Sequence, residues 1–328
     1  MKSLISIVAP AYNEEEVVEK FYVKITSILS KLANYDYEIC IVNDGSKDKT
    51  VSICHELLRK DEHISFVSLS RNYGHEIAVA AGMDHAKGDV IILMDIDLQD
   101  TPDIIPQMIA KYEEGYDVVN AKRKSRDGET WLKKFTAEMF YRVFSASSGK
   151  VKMPRNVGNY RLISRRAVEA FKELRETHRF ARGLFCWVGF PTTEIEFERE
   201  ARIAGKTKYN YKTMINYAIE GLTSFTTAPL RWATYIGVFT AILAVLYMVY
   251  VFYMAITGDT NLQKGWSSMM IIMLLFGSMQ MIFLGIIGEY LGRIFDETKN
   301  RPLYFVQEYT TKIADKLYKE REQLDEQK

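Results

Sequence analysis

The sequence predicts an α/β fold, with a doubly wound, largely parallel sheet in its N-terminal part and two membrane-spanning helices near its C-terminal end. Two observations lead to this prediction. Short apolar runs alternate with helical patterns through roughly the first 120 residues, as in strands connected by helices. Two later stretches, Trp232 to Gly258 and Gly265 to Gly288, contain no charged residue. Each exceeds the about 20 apolar residues that span a bilayer.

The predicted elements of the N-terminal part alternate regularly. The strands are "LISIVAP", "YEICIVND", "ISFVSLS" and the apolar run that begins at Val90. The helices between them are predicted at about residues 13–31, 47–59 and 76–86. Because the carboxyl ends of parallel strands meet at one edge of a sheet, the loops that follow these strands are expected to converge.

An acidic cluster follows the fourth predicted strand, in the sequence "VIILMDIDLQD". Asp95 and Asp97 are two positions apart, a spacing that places both carboxylates on one face at the end of a strand. Carboxylates together with phosphate oxygens and water are the ligands that Mg²⁺ prefers. The cluster therefore predicts a divalent-metal site that holds a diphosphate. A lone pair of this kind is also typical of a solvated turn before a proline, here Pro102.

Polar loops follow the other three strands, with the sequences "PAYNEEE", "NDGSKDKT" and "RNYGHE". In a doubly wound sheet they lie at the same edge as the acidic cluster. Asn43 and Asp44 are able to hydrogen-bond a base or a ribose, while Gly45 and Gly74 permit tight turns. Each loop alone is typical of an ordinary turn with helix-capping residues. The four loops together predict a ligand-binding crevice.

The distribution of charge predicts how the two apolar stretches are oriented. The net charge of +1 identifies no partner, and we expect no nucleic acid. Lys and Arg residues flank the outer ends of the pair, whereas the connecting loop contains only Lys264. Because basic residues favour the cytoplasmic side, both the N-terminal part and the C-terminal tail are expected in the cytoplasm of a multi-pass cell-membrane protein. The three cysteines, Cys40, Cys54 and Cys186, have no paired spacing, which fits a reducing compartment.

Motifs along the whole chain resemble those of the inverting nucleotide-sugar glycosyltransferases with a GT-A fold. The motifs of the loops are P-A-Y-N-E at 10–14, N-D-G-S at 43–46, R-N-Y-G-H-E at 71–76 and D-I-D-L-Q-D at 95–100. Later motifs are A-K-R at 121–123, N-V-G-N-Y-R-L-I-S-R at 156–165, R-F-A-R-G at 179–183 and A-G-K-T-K-Y at 204–209. More narrowly, the chain is similar to the polyprenyl-phosphate glycosyltransferases, which include bactoprenol glucosyltransferases and dolichyl-phosphate mannose synthase.

The resemblance implies a binding site for a UDP-sugar donor in the first loops. The residues that would bind the nucleotide-sugar are Pro10, Tyr12, Glu14, Asp44, Arg71 and Asp95. The residues that would hold Mg²⁺ or Mn²⁺ on the diphosphate are Asp95, Asp97 and Gln99. A metal there would stabilise the leaving nucleotide as a Lewis acid.

The acceptor side of the site is predicted in the middle region, roughly residues 129–197 and the basic residues before it. The acceptor implied by the resemblance is undecaprenyl phosphate, and arginine guanidinium groups match phosphate oxygens well. The residues expected to bind its phosphate are Arg123, Arg126, Arg161 and Ser164. A run of basic residues is also typical of a solvated surface, which is the expectation for Lys124 and Arg166.

Two positions depart from the family pattern. His75 replaces the usual lysine of the third loop, and Asn159 stands where most members carry aspartate. The expected catalytic residues are Asp97, Arg123 and Asn159. A lipid phosphate has a second pKa near 6, by analogy with phosphorylated side chains, so its attacking oxygen needs little help from a base. We therefore expect Asn159 to orient the acceptor without transferring a proton.

The sequence thus predicts a metal-dependent enzyme that moves one hexose, with glucose favoured, from a UDP-sugar to undecaprenyl phosphate. The product would be a polyprenyl-phosphate-linked sugar for modification of a cell-envelope glycan. Two alternatives stay open. One is a dolichyl-phosphate-mannose-type synthase that uses GDP-mannose, and the other is an inactive nucleotide-sugar-binding scaffold, which only Asn159 supports.

Four segments are expected along the chain. They are a GT-A catalytic domain at 1–207, an interfacial amphipathic helix at 208–230, a transmembrane hairpin at 231–292 and a cytoplasmic tail at 293–328. The two helices of the hairpin are expected at about 232–257 and 266–290. Gly277, Gly285 and Gly288 would allow the close helix contacts of a homo-oligomer.

Overall fold

The computed structural model describes residues 2–124, 154, 156–198, 223, 226–257 and 265–312. The strands are β1 (Ser3–Ala11), β2 (Tyr35–Asn43), β3 (Ile64–Leu69), β4 (Val90–Leu93), β5 (Val118–Arg123), β6 (Val157–Ser164), β7 (Thr192–Phe197) and β8 (Val306–Thr310). The helices are α1 (Val18–Leu29), α2 (Thr50–Lys60), α3 (His75–His85), α4 (Ile105–Glu113), α5 (Arg165–Lys172), α6 (Ala181–Val188), α7 (Ala228–Thr257) and α8 (Trp266–Thr298). Arg126 and residues 208–222, 224 and 225 of the predicted interfacial helix lie outside the described residues.

These strands form one mixed sheet in the order β7-β5-β6-β4-β1-β2-β3-β8. At its centre, β1 pairs in parallel with both β2 and β4, and β2 pairs in parallel with β3. The predicted α/β fold with a parallel core is therefore confirmed. The predicted first helix begins later than expected, at Val18, because the chain first makes a turn in which Asn13 has a positive φ of 53°.

Apolar side chains cover the central strands on both faces. Ile5 and Ile7 of β1 pack into the cluster that contains residues of α1, α2 and α4. Val8, which points to the opposite face because strand side chains alternate, packs into the cluster formed with α3, α5 and α6. Burial on both faces explains why the central strands have nearly continuous apolar sequences.

Strand β6 lies between β4 and β5 and runs antiparallel to both. In its register with β4, Leu93 pairs with Arg161 and Val90 pairs with Ser164. Asn159 therefore lies just beyond the carboxyl end of β4, next to the acidic cluster. Ser164 lies at the opposite edge of the sheet.

Strand β8 follows the second apolar helix and pairs antiparallel with β3, with Val67 opposite Tyr309. Next to it, the Tyr304 hydroxyl donates a hydrogen bond to an Asp84 carboxylate oxygen at 2.7 Å. The Ser70 amide donates to the Phe305 carbonyl at 2.9 Å. Part of the predicted C-terminal tail thus belongs to the sheet.

The two apolar helices form a hairpin whose side chains are largely exposed. Each is long and apolar enough to cross a membrane. The start of α7 lies against the end of α8, because the Tyr290 hydroxyl donates to the Thr226 carbonyl at 2.6 Å. Helix α8 extends eight residues beyond the predicted span, to Thr298. There the Thr177 amide donates to the Glu297 carboxylate at 2.7 Å, which joins the hairpin to the N-terminal domain.

Candidate active site

The first two loops are held together by side chains that bond the neighbouring backbone. The backbone amide of Asn13 donates to the Ser46 hydroxyl at 3.0 Å. The backbone amide of Lys47 donates to the Asn13 side-chain oxygen at 2.8 Å. Gly45 has a positive φ of 70°, and a Cβ at this position would lie 2.6 Å from the backbone of Arg71. Only glycine permits this approach, which brings the second and third loops into direct contact.

Asp44 ties the second loop to the third. Its carboxylate accepts hydrogen bonds from the backbone amides of Tyr73 at 2.7 Å and Gly74 at 3.0 Å. Burial raises the pKa of Asp44, and these two amides, with His75 and Arg71 nearby, oppose that rise. The carboxylate is 3% exposed, so its observed role is to build the loop platform. Its predicted contact with a nucleotide stays a prediction.

The other residues predicted to bind the nucleotide-sugar lie on the same edge. Pro10 is at the end of β1, and Tyr12 and Glu14 follow it in the first loop. The Glu14 amide donates to the Thr50 hydroxyl at 2.9 Å, which fixes this loop on the start of α2. The Arg71 guanidinium lies over the Tyr73 ring, 4.0 Å from its centroid. These positions agree with the predicted convergence of the loops.

The acidic cluster forms a tight turn after β4. Leu98 has a positive φ of 56°, which is uncommon for a residue other than glycine. An Asp97 carboxylate oxygen accepts a hydrogen bond from the backbone amide of Gln99 at 3.1 Å and so stabilises the turn. Asp95 is half-buried, whereas Gln99 is 8% exposed.

These residues fit a divalent cation that is shared with a diphosphate. Within the described part of the chain, no group of three His, Cys, Asp or Glu side chains is close enough to ligate a metal by itself. Asp95 and Asp97 offer two carboxylates, and Gln99 offers an amide oxygen. Mg²⁺ binds in this way, through one or two carboxylates with phosphate oxygens and waters as further ligands.

Arg123 lies beside the acidic turn at the carboxyl end of β5. Its Nη2 atom is 3.4 Å from a carboxylate oxygen of Asp100, a residue that is almost completely buried. The Arg123 backbone amide donates to the Asn156 carbonyl at 3.1 Å, which holds β5 against the approach to β6. The guanidinium is partly exposed and is able to bind an anion. The sequence motif predicts Asp100 in the acidic cluster, and the structure adds Arg123 as its partner.

Asn159 and His75 contact each other at the sheet edge where the polar loops converge. The Asn159 Nδ2 atom lies 2.8 Å from the His75 Nε2 atom. The same imidazole nitrogen lies 3.5 Å from an Asp95 carboxylate oxygen. The two positions that depart from the family pattern are therefore neighbours in space, which the motifs alone did not reveal.

The remaining acceptor predictions have different outcomes. Arg161 is 2% exposed, donates to the Gly158 carbonyl at 2.7 Å and lies over the Phe185 ring. It supports the start of β6 from the interior, and its predicted contact with the acceptor stays a prediction. Ser164 lies at the far end of the strands from the acidic cluster, because β6 runs antiparallel to β4, and its predicted contact with the acceptor stays a prediction. There its hydroxyl donates to Asp117 at 2.7 Å and caps α5.

Comparison with known proteins identifies both parts of the chain. Residues 6–171 match glycosyl transferase family 2, and residues 228–294 match the GtrB C-terminal hairpin. The chain is 44% identical to the uncharacterized glycosyltransferase YkcC of Bacillus subtilis, over 92% of this chain and 93% of that one. It is 43% identical to the SfII prophage-derived bactoprenol glucosyl transferase of Shigella flexneri, over 92% of this chain and 97% of that one.

A solved structure is also similar in fold. Mannosyl-3-phosphoglycerate synthase from Rubrobacter xylanophilus is 16% identical, with a TM-score of 0.46 over 66% of this chain and 71% of that one. A likeness at this level has no bearing on the reaction.

The fold and the sequence matches define a glycosyltransferase with a C-terminal hairpin, and the chain belongs to glycosyl transferase family 2. Within that family it belongs with the polyprenyl-phosphate glycosyltransferases, because its similarity to bactoprenol glucosyl transferases covers both the domain and the hairpin. The resemblance seen in the motifs is therefore confirmed, as are the GT-A fold class and the hairpin of two apolar helices.

Proposed function

We propose that this chain transfers a single hexose from a UDP-sugar, with UDP-glucose as the expected donor, to undecaprenyl phosphate. One observation carries the proposal. The acidic pair Asp95 and Asp97 lies at the sheet edge where the polar loops converge, beside Arg123 and Asn159, in a chain with a membrane-type hairpin. Relatives of the same architecture that are 43% identical are named bactoprenol glucosyl transferases, which supports this donor and acceptor.

The donor end of the site is the turn after β4. Asp95, Asp97 and Gln99 would hold Mg²⁺ or Mn²⁺ against the diphosphate, and a bound metal supplies Lewis-acid stabilisation of the leaving UDP. The loop platform built by Asp44 and Gly45 would orient the nucleotide. Such preorganised groups lower the barrier because they need no rearrangement when charge develops.

The acceptor end of the site is the side formed by β5 and β6. Arg123 would bind the acceptor phosphate, and the Asn159 amide would orient it. A phosphate oxygen attacks the anomeric carbon while the bond from that carbon to the UDP oxygen breaks. A single displacement of this kind inverts the configuration at the anomeric carbon. Because the phosphate arrives largely deprotonated at neutral pH, no residue of the site has to remove a proton.

The proposal includes the arrangement of the chain at the membrane. The hairpin would cross the bilayer twice, with residues 1–207 and the tail on the cytoplasmic side, where nucleotide sugars are made available. The contact between Thr177 and Glu297 supports this arrangement, because it joins the N-terminal domain to the end of the hairpin. A lipid phosphate at the bilayer surface would then reach the site without leaving the membrane.

A product analysis tests the proposal directly. Purified protein in detergent would be incubated with undecaprenyl phosphate, Mg²⁺ or Mn²⁺ and, separately, UDP-glucose, UDP-N-acetylglucosamine and GDP-mannose. We expect a hexosyl-phosphoundecaprenol in the mass spectrum of the lipid extract with UDP-glucose, and its loss with a chelator. Product from GDP-mannose alone would favour a mannose synthase. No product from any donor, with transfer restored by Asn159→Asp, would favour an inactive scaffold.

A further inference from the structure

The contact between His75 and Asn159 bridges two separate parts of the crevice. His75 is the first residue of α3 and follows Gly74, which adopts a positive φ of 95°. Asn159 is on β6, 84 positions later in the sequence. Their side chains meet at 2.8 Å, so this pair joins the third loop to strand β6.

The pair forms a direct side-chain hydrogen bond, because an asparagine amide and a histidine ring each offer a donor and an acceptor. The Asn159 Oδ1 atom is shielded from solvent and has no hydrogen-bond partner among the described residues. The orientation of this amide therefore depends on His75. The remaining hydrogen-bonding groups of the amide are left to bind a ligand.

We propose that His75 is a positioning residue that holds the Asn159 amide in the orientation needed to bind the acceptor phosphate. The inference rests on the proposed function, since it takes Asn159 to lie at the acceptor end of the site. His75 would not contact the phosphate itself. Its effect would pass through Asn159, so the two residues would act as one unit.

The position of Asp95 adds a requirement on the charge of this unit. An Asp95 carboxylate oxygen lies 3.5 Å from the same imidazole nitrogen. A carboxylate at position 159 would therefore lie close to a second carboxylate and would also face the anionic acceptor. A neutral amide at position 159 avoids both repulsions. A negative residue at position 159 would need a positive residue at position 75.

The first experiment measures steady-state kinetics with UDP-glucose and undecaprenyl phosphate for His75→Ala, Asn159→Ala and the double variant. Each single change is expected to raise the acceptor KM about tenfold, the usual effect of one lost hydrogen bond, with the donor KM unchanged. The double variant is expected to resemble the single ones, because residues that act together are not additive. His75→Gln, which keeps an acceptor atom at similar reach, is expected to restore most of the affinity.

A matched control shows that the effect is local. His85 is at the other end of α3 and bonds the Ala81 carbonyl, so His85→Gln should leave the acceptor KM unchanged. Thermal unfolding of every variant separates a change in binding from a loss of folded protein. Additive effects of His75→Ala and Asn159→Ala, or an unchanged acceptor KM in His75→Ala, would overturn the proposal.

A second experiment exchanges the charges. Asn159→Asp alone is expected to lower kcat/KM for the acceptor about tenfold or more, and adding His75→Lys is expected to recover most of that loss. If His75→Lys gave no relief, the two residues would not form a unit. Wild-type protein that transfers no sugar to undecaprenyl phosphate would contradict the proposed function. Active wild-type protein with uncoupled variants would contradict this inference alone.

Discussion

In the acidic turn after β4, the Asp97 side chain has a structural role and a proposed chemical role. Asp97 accepts a hydrogen bond from the Gln99 amide, and in the proposed mechanism it also ligates the metal. Asparagine would preserve an oxygen acceptor for the turn but remove the negative charge. We therefore expect Asp97→Asn to fold normally and to lose about 100-fold in kcat, the usual cost of removing such electrostatic stabilisation.

A nearby carboxylate provides the control for this change. Asp103 is exposed and pairs with Lys24 at 3.1 Å, outside the crevice. Asp103→Asn should leave turnover within about twofold, because exposed ion pairs contribute little. Turnover of Asp97→Asn equal to that of wild-type protein, measured by release of UDP, would remove this residue from the metal site.

Ser164 is expected to affect stability and not acceptor binding. Its hydroxyl donates to the buried Asp117 carboxylate and accepts from the Ala167 amide as the N-cap of α5. Ser164→Ala should lower the free energy of unfolding by about 1 kcal/mol, which is about 2–4 °C in Tm, with the acceptor KM unchanged. Ser164→Thr keeps a capping hydroxyl and should recover part of the loss. A raised acceptor KM in Ser164→Ala would show that the original expectation was right.

Individual strands differ in how far the sequence predicts them. The apolar runs of β1 to β4 predict parallel strands because both of their faces are buried, and the loops at their ends predict the crevice. The position of β6 was beyond prediction, since nothing local to Val157–Ser164 specifies insertion between β4 and β5. This one insertion decides where the predicted acceptor residues lie. It brings Asn159 to the crevice and carries Ser164 away from it.

The position of strand β8, the last strand of the sheet beside β3, is also not predictable from the local sequence. Its partner β3 is more than 200 residues earlier, so pairing of this kind leaves no periodic signal in the sequence. The pairing covers an edge that would otherwise expose unpaired backbone groups. A network around the buried Glu38 completes it, because the Ser65 hydroxyl donates to Glu38 at 2.5 Å and lies 2.7 Å from the Thr311 hydroxyl.

The segment before β8 gives a prediction for this element. The Tyr304 hydroxyl donates to Asp84, and burial raises the pKa of Tyr304, so the hydroxyl stays protonated at neutral pH. Tyr304→Phe should lower the free energy of unfolding by about 1 kcal/mol, because Asp84 loses one donor but keeps Arg175. Tyr309→Phe is the control, since its hydrogen bond is long at 3.4 Å. Equal thermal midpoints for the two variants would contradict this account.

At the scale of the whole molecule, the hairpin and the catalytic domain are joined at the C-terminal end of the hairpin's second helix. The end of α8 contacts the segment before α6 through Thr177 and His178, and the chain then continues into β8 of the sheet. A domain attached in this way lies on the same side of the membrane as the C-terminal end of α8. The orientation of the hairpin therefore decides on which side of the membrane the sheet lies. Basic residues flank the outer ends of the hairpin, and they favour the cytoplasmic side for the sheet.

This orientation predicts the labelling of single cysteines in intact cells. With Cys186→Ser as background, Cys40 and Cys54 remain buried and unreactive. A cysteine introduced at position 261, between α7 and α8 in the sequence, should react with a membrane-impermeant maleimide in intact cells, because that segment would be on the outer side. Ser52→Cys, on the exposed surface of α2, should react only after permeabilisation. The reverse pattern would place the catalytic domain outside, away from cytoplasmic nucleotide sugars, and would contradict both the topology and the proposed donor.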